Sequence, residues 1–208
     1  AREIRMSGGA TLDVSRETIE RLKTYEALLR KWTQKINLVA RSTLDDLWAR
    51  HFVDSAQIYS LAPHPVGHWA DLGSGGGFPG LVIAIMAMEH QSPVRVTLVE
   101  SDSRKCAFLR TVIRETGAPA TVVNARIEEI PPLEADVISA RALTDLDGLL
   151  GFCAHHLRSD GTAIFPKGES WQKELQAAQT TWNFSHRIAT SETETGPVIL
   201  TITGVARV

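Results

Sequence analysis

The stretch Ala70-Asp71-Leu72-Gly73-Ser74-Gly75-Gly76-Gly77-Phe78-Pro79-Gly80 decides the fold. It closes an apolar strand candidate at 69–72 and opens a helix candidate at 79–89, so it reads as a glycine-rich turn between the two. Glycines lack Cβ and tolerate positive φ, which lets backbone N–H groups approach a ligand closely. Two cofactor classes compete for such a loop. Gly75, Gly77 and Gly80 satisfy the dinucleotide spacing G-x-G-x-x-G, and the same glycines suit a nucleoside carrying a cationic amino acid. Asp71, two residues before Gly73, favours the second class, because negative charge beside a pyrophosphate is repulsive. The sequence therefore predicts S-adenosylmethionine, which carries an ammonium and a sulfonium, held by Asp71, Gly73, Gly75 and Gly77.

Outward from this loop, strands and helices alternate, the signature of a parallel sheet with crossovers. Strand candidates lie at 69–72, 94–100, 120–124, 136–140 and 161–166, and helix candidates at 79–89, 103–116, 145–157 and 169–181. Segments 184–190 and 197–203 follow with no helix between them, which predicts an antiparallel final hairpin. The expected fold class is α/β: a Rossmann-like, doubly wound, mostly parallel sheet of the class I methyltransferase type. Before it, Ile19, Leu22, Tyr25, Leu28, Leu29 and Trp32 recur at helical spacing, with Ser15 as N-cap and Val14 to Ile19 as a hydrophobic staple. A second helix is expected from Ser42 or Thr43 to about Leu61, ended by Pro63 and Pro65. This divides the chain into a helical extension, 1–65, and a cofactor-binding domain, 66–208. Residues 1–10 are left out of the fold reading, since the chain opens on Ala1 rather than methionine.

Composition excludes more than it assigns. With 208 residues, 43% hydrophobic and 22% charged, a sizeable core is possible, and a formal charge of -2 exerts no global pull on nucleic acid. No run approaches the ~20 apolar residues of a membrane span and no apolar signal region opens the chain, so the cytoplasm is the expected location. Cys106 and Cys153 lack Cys-x-x-Cys or Cys/His surroundings and read as reduced core thiols, and no metal site is expected. A monomer is expected.

Two further acidic positions bear on the cofactor. Glu100 ends the apolar strand Val94-Arg95-Val96-Thr97-Leu98-Val99, where a carboxylate accepts hydrogen bonds from ribose hydroxyls, unless it merely caps the turn at Ser101. Ala125-Arg126-Ile127-Glu128-Glu129 either begins a helix or holds an adenine by Ile127 and Glu128. His51, Asp54 and Ser55 share a helix face with Leu47 and Ile58; they fasten the helices to the domain or take part in the site. Trp171 and Trp182 read as core residues.

These motifs resemble the bacterial RsmG (GidB) methyltransferases over roughly residues 20–170. The resemblance rests on Trp32-Thr33-Gln34-Lys35-Ile36-Asn37-Leu38, His51-Phe52-Val53-Asp54-Ser55 and the glycine loop with its Gly77-Phe78-Pro79-Gly80. It extends to Ser103-Arg104-Lys105-Cys106-Ala107-Phe108-Leu109, Arg126-Ile127-Glu128-Glu129, Ser139-Ala140-Arg141-Ala142 and Pro166-Lys167-Gly168. It implies methylation of guanine N7 in small-subunit (16S) ribosomal RNA, with the RNA or a small-subunit particle as partner. It further implies cofactor contact at Gly73, Phe78, Glu100, Ile127, Glu128 and Arg141, and functional roles for Asn37, Pro79, Arg126 and Lys167. Read from the residues alone, Asn37 is equally a helix terminator, Lys167 a turn lysine, and Arg141 a structural ion pair with Asp136 or a helix carboxylate. Arg141 and Arg126 are the candidate donors to guanine O6. Arg30, Lys31, Lys35, Arg41 and Arg50 form either an RNA-facing surface or a solvated helix face. Some relatives carry an arginine near the start of the last strand, where this chain has Gly196-Pro197-Val198; Arg187 is the candidate replacement. A methyltransferase acting on a protein or small molecule, a nicotinamide-dependent oxidoreductase and a non-catalytic RNA-binding module remain as alternatives.

Overall fold

The computed structural model describes residues 2–5 and 11–208, with side chains from Leu12 onward. Residues 1 and 6–10, part of the segment set aside above, lie outside the described residues. Strands β1 (Arg2–Arg5) and β2 (Thr11–Val14) form a small antiparallel hairpin that the sequence reading did not anticipate.

Helix α1 (Arg16–Thr33) starts where its cap residues dictate: the Thr18 N–H donates to Ser15 Oγ at 3.2 Å, and Val14 and Ile19 are both buried beside the cap. The expected second helix is not one helix. A 3-10 turn (Arg41–Asp46) and a π-helical turn (Trp48–Val53) precede α2 (Asp54–Leu61). Trp48, His51, Phe52 and Val53 of the π turn are all buried. Thr43, one of the two expected starting points of that helix, bonds to Ala40 O and to the His51 ring.

The remaining elements alternate as expected: β3 (His68–Leu72), α3 (Gly80–His90), β4 (Arg95–Glu100), α4 (Ser103–Thr116), β5 (Ala120–Asn124), β6 (Ala135–Ala140), α5 (Leu146–His156), β7 (Leu157–Lys167), α6 (Trp171–Ala178), β8 (Trp182–Thr190) and β9 (Val198–Arg207). The sheet order is β5-β4-β3-β6-β7-β9-β8, with β3 to β7 parallel and β9 inserted antiparallel between β7 and β8. Strand β7 begins four residues earlier than expected because Leu157 already pairs with Ala135, across a register shift.

Alternation along β3 sets the two cores. Trp69 joins the apolar cluster shared with α1, α2, α3 and α4, whereas Ala70 and Leu72 join the cluster under α5. Asp71 therefore lies on the α3 face, which is where its partners are found. Cys106 and Cys153 are free and buried, Trp182 is a core residue, and Trp171 packs against the α5 cluster. None of the helices is long and apolar enough to cross a membrane among the described residues.

Candidate functional site

Two pockets adjoin at the C-terminal edge of the parallel strands, where ligands gather in such sheets. Both are bounded by Ala142, Leu143 and Thr144, which follow β6, so this short segment is the wall between them.

The first pocket, about 460 Å³, is lined by Gly73, Gly75, Glu100, Arg126, Ile127 and Glu128, with Phe152 of α5 and Lys105 of α4 closing its sides. Glu100 is buried at the end of β4; Oε2 accepts the Gly75 N–H at 3.1 Å and Oε1 the Asp102 N–H at 3.2 Å. These two bonds fix the carboxylate against the glycine loop, and a carboxylate has acceptor capacity for two further donors such as a ribose diol. Ile127 supplies a buried apolar surface, and Glu128 an exposed carboxylate at the rim. Volume, acidity and one apolar wall fit a cationic nucleoside cofactor of drug-like size.

Asp71, Gly77, Phe78 and Pro79 line neither pocket; they hold the loop from behind. Asp71 is fully buried, and its oxygens accept from Ser139 Oγ at 2.8 Å and from the Gly80 N–H at 3.2 Å. Burial pushes its pKa up to about 6, against the hydrogen bonds from Ser139, Ser74 and Gly80 that lower it. A carboxylate thus caps the N-terminus of α3, the place a pyrophosphate occupies in dinucleotide folds. A Cβ on Gly80 would fall 2.6 Å from Asp71 Oδ2. A pyrophosphate at this helix N-terminus would meet the Asp71 carboxylate, which disfavours the dinucleotide reading of Gly75, Gly77 and Gly80. Asp71 is wholly buried, faces α3 and borders neither pocket, so the contacts it makes in the fold are with the loop and the helix it supports.

Phe78 anchors the helical extension to the loop. Its ring stacks on Tyr25 at 5.1 Å and on His51 at 4.9 Å, and the Arg141 guanidinium lies 5.2 Å over it. Tyr25 Oη donates to Gly76 O, and Gly77, at φ 95°, leaves room for both Tyr25 and Leu81. Burial raises the Tyr25 pKa well above its ordinary value, so the phenol remains a donor.

The second pocket, about 560 Å³, lies on the other side of the wall and brings together Arg141, Lys167, Arg50, His51 and Asp54. Roofing it is the loop between β8 and β9, tied to the helical extension by Thr193 Oγ1 donating to Asp54 Oδ1, by Gln57, and by the Arg50–Glu194 ion pair. Lys167 is buried rather than a solvated turn lysine: its ammonium sits 2.6 Å from Glu174 and donates to Thr144 O at 3.2 Å. Arg141 does not pair with Asp136, which Arg158 and the His68 N–H take. Burial lowers the Arg141 pKa, partly offset by Tyr25, Asp71 and Asp54. Burial, with Arg141 and Arg50, lowers the His51 pKa to about 3, so the imidazole is neutral.

Several sequence expectations separate here. Arg141 borders the second pocket and not the first, so the wall at Ala142 stands between it and the Glu100 pocket. Arg126 lines only the first pocket, since it follows β5 at the sheet's far edge, and is thereby removed from the Arg141 side. Asn37 is exposed beyond α1 and lines neither pocket. Arg187 is exposed on β8, also outside both. Within the basic set, Arg30 pairs with Glu26 at 3.1 Å, while Lys31, Lys35 and Arg41 are exposed. Leu143, Thr144, Phe152 and Glu174 were missed, and no local pattern marks them; they matter only through the wall and the ion pair that folding creates.

Comparison with known proteins adds a family. The family model described as rRNA small subunit methyltransferase G matches residues 18–197. A protein of Ruegeria sp. (strain TM1040) named Ribosomal RNA small subunit methyltransferase G is 54% identical over 97% of this chain and 98% of its own. One of the same name from Ruegeria pomeroyi is 56% identical over 95% of this chain and 97% of its own. Among solved structures, a MtNAS variant in complex with S-adenosylmethionine superposes with a TM-score of 0.60 at 15% identity, covering 91% of this chain and 76% of that one, a likeness of fold.

Proposed function

The chain belongs to the rRNA small subunit methyltransferase G family, and from that premise we propose that it methylates N7 of a guanine in 16S ribosomal RNA, in the pocket lined by Arg141. It is an S-adenosylmethionine-dependent methyltransferase. The observation that carries the site assignment is the pair of adjoining pockets: an acidic one built on Glu100 beside the glycine loop, and a cation-bearing one separated from it only by Ala142–Thr144.

When bound, S-adenosylmethionine supplies an electrophilic methyl on sulfonium, which the N7 lone pair takes while the C–S electrons stay on sulfur. Glu100 would hold the ribose hydroxyls, Ile127 would supply the apolar surface for the adenine, and the loop from Gly73 to Gly75 would hold the amino-acid part. Glu128 and buried Asp71 add negative potential that suits the cationic form. Phe152 and Leu143 exclude water from the two sides. Arg141, held over Phe78, and Lys167, held by Glu174, present donors to the incoming nucleotide, its O6 and its phosphate. Guanine N7 is unprotonated, so no general base is required and the neutral His51 need not act as one. The residues contribute proximity, alignment and dehydration, which supply several kcal/mol of barrier lowering. In this reading the helical extension, 1–65, forms one side of the nucleotide pocket, and the exposed Lys31, Lys35 and Arg41 meet RNA phosphates.

The test has two arms. Mapping N7-methylguanosine in 16S ribosomal RNA from cells lacking the gene is expected to show one site lost, and an unchanged pattern would remove the RNA assignment. Calorimetry with adenosylhomocysteine and with NAD is expected to give binding to the former only; the reverse result would remove the cofactor assignment.

A further inference from the structure

The nucleotide pocket contains two ion pairs and two charges left over. Lys167 is matched by Glu174 and Arg50 by Glu194. Arg141 and Asp54 line the same pocket, and neither has an ion-pair partner among the described residues. Arg141 lies over the Phe78 ring, and it and Asp54 act on each other only at a distance, without a direct ion pair. Asp54 Oδ1 accepts from Thr193, while Oδ2 accepts no hydrogen bond among the described residues. Next to Asp54, His51 adds no donor. The Thr43 hydroxyl donates to Ala40 O at 2.7 Å, so its oxygen accepts from His51 Nε2 at 2.9 Å, which leaves Nδ1 a bare lone pair. That Nδ1 is buried without a partner among the described residues. His51 Nδ1 is fully buried and out of a ligand's reach, so what the pocket offers a base is one guanidinium donor, Arg141, and one acceptor group, the Asp54 carboxylate.

The reaction itself restricts how guanine can be read. The usual arginine contact engages O6 and N7 together. Here N7 has one in-plane lone pair, and a lone pair held by a hydrogen bond cannot attack a methyl group. Recognition is confined to O6 and to the far edge of the base, where N1–H and the exocyclic N2–H2 are both donors and require acceptors. Adenine reverses the pattern, with an acceptor at N1 and a donor at N6.

We propose that Asp54 is the specificity-determining residue: its carboxylate accepts from N1–H and N2–H2 of the target guanine while Arg141 donates to O6 alone. This rests on the reading of the second pocket as the nucleotide site. Bound there, adenine would set its N1 lone pair against a carboxylate and leave Arg141 facing an amine, so a loss of about 10⁴-fold is expected, the size seen when polar groups built for a partner are left unpaired. Inosine keeps N1–H and lacks N2–H2, so it isolates one of the two bonds.

The test uses the whole protein and a 16S RNA fragment carrying guanosine or inosine at the modified nucleotide, with methyl transfer measured in single turnover. Wild-type protein is expected to transfer to guanosine about 10-fold faster than to inosine, as for loss of one hydrogen bond to a charged group. Asp54→Asn is expected to slow transfer to guanosine strongly and to bring the two rates within about 2-fold of each other, because an amide cannot accept both bonds. Thr193→Val, which removes the tie to the roof loop but not the acceptor, is expected to keep the wild-type ratio. Adenosylhomocysteine affinity, a property of the other pocket, should be unchanged in both variants. Equal rates on guanosine and inosine in the wild-type protein would overturn the inference without any variant, as would an Asp54→Asn ratio equal to wild type. Failure of wild-type protein to methylate guanine N7 at all would instead overturn the reading of the pocket on which the inference rests.

Discussion

The two pockets share a wall and differ in how the chain builds them. The cofactor pocket is assembled from the loops that follow β3, β4, β5 and β6, so its residues fall within a stretch running from Gly73 to Phe152. The nucleotide pocket draws on the helical extension, the ends of β6 and β7 and the β8–β9 loop, and one of its ties, Thr193 to Asp54, joins residues 139 apart in sequence. One is a consequence of strand-turn-helix geometry. The other exists only once distant segments have docked. A change in the seam where the helical extension packs on the glycine loop should therefore cost most, a change in the cofactor pocket should stay confined to the cofactor, and a change in the roof should cost least.

Gly77 is the seam. At φ 95° an alanine Cβ would fall 2.5 Å from Leu81 Cδ1 and 2.6 Å from Tyr25 Oη, so Gly77→Ala combines backbone strain with overpacking where α1 meets the loop. A loss of about 4 kcal/mol in unfolding free energy is expected from urea titration, the sum of typical strain and overpacking penalties. A loss below 1 kcal/mol would mean that the extension docks independently of the loop.

Asp71 tests the same seam by pH. Its folded-state pKa is raised to about 6 from 3.8, so its contribution to stability is fully present below 3.8 and is lost as pH rises through about 6. Relative to Asp71→Asn, wild-type protein should lose about 3 kcal/mol of stability between pH 3.8 and pH 7, from 1.36 kcal/mol per pKa unit. Parallel pH–stability curves for the two proteins would contradict the buried, charged carboxylate.

Within the cofactor pocket, Glu100→Ala removes the diol acceptor and frees the Gly75 and Asp102 N–H groups. Adenosylhomocysteine affinity should fall about 100-fold, as for loss of charge-assisted hydrogen bonds, with RNA affinity unchanged. Parallel loss of RNA binding would erase the distinction between the pockets. On the nucleotide side, Glu174→Gln strips Lys167 of its counter-charge. Because Glu174 is partly exposed, a loss of about 2 kcal/mol in stability is expected, below the range for a fully buried pair, together with slower transfer to RNA and unchanged adenosylhomocysteine affinity. Thr193→Val should cost about 1 kcal/mol or less in stability, the worth of one hydrogen bond.

The same contrast governs what the sequence made legible. The glycine loop, Glu100, Ile127 and the order of strands and helices could be read because each depends on local spacing, and all are found where that spacing puts them. The antiparallel end of the sheet was legible for the same reason: no helix fits between β8 and β9. Asp71 was read as favouring a cationic ligand over a pyrophosphate; that Ser139 and Gly80 are its partners is a consequence of the fold and carries no local signal. The broken second helix was not legible, because helical periodicity does not distinguish α from π turns over so few residues. Arg126 and Arg141 were grouped as guanine donors because a guanidinium suits guanine O6, yet the strands they follow lie on opposite sides of β3. Asp54, Glu174 and Thr144 gained their significance only from contacts across the chain.

The most direct measurement is methyl transfer from S-adenosylmethionine labelled in the methyl group, by the purified protein, to small-subunit RNA and to small-subunit particles, followed by nucleoside analysis. Label recovered as N7-methylguanosine at a single 16S position, and strongly reduced by Glu100→Ala and by Arg141→Ala through weakened cofactor binding and loss of transfer respectively, is the expected result. Label recovered in ribosomal protein, in another nucleoside, or undiminished by either substitution would contradict the assignment of the two pockets.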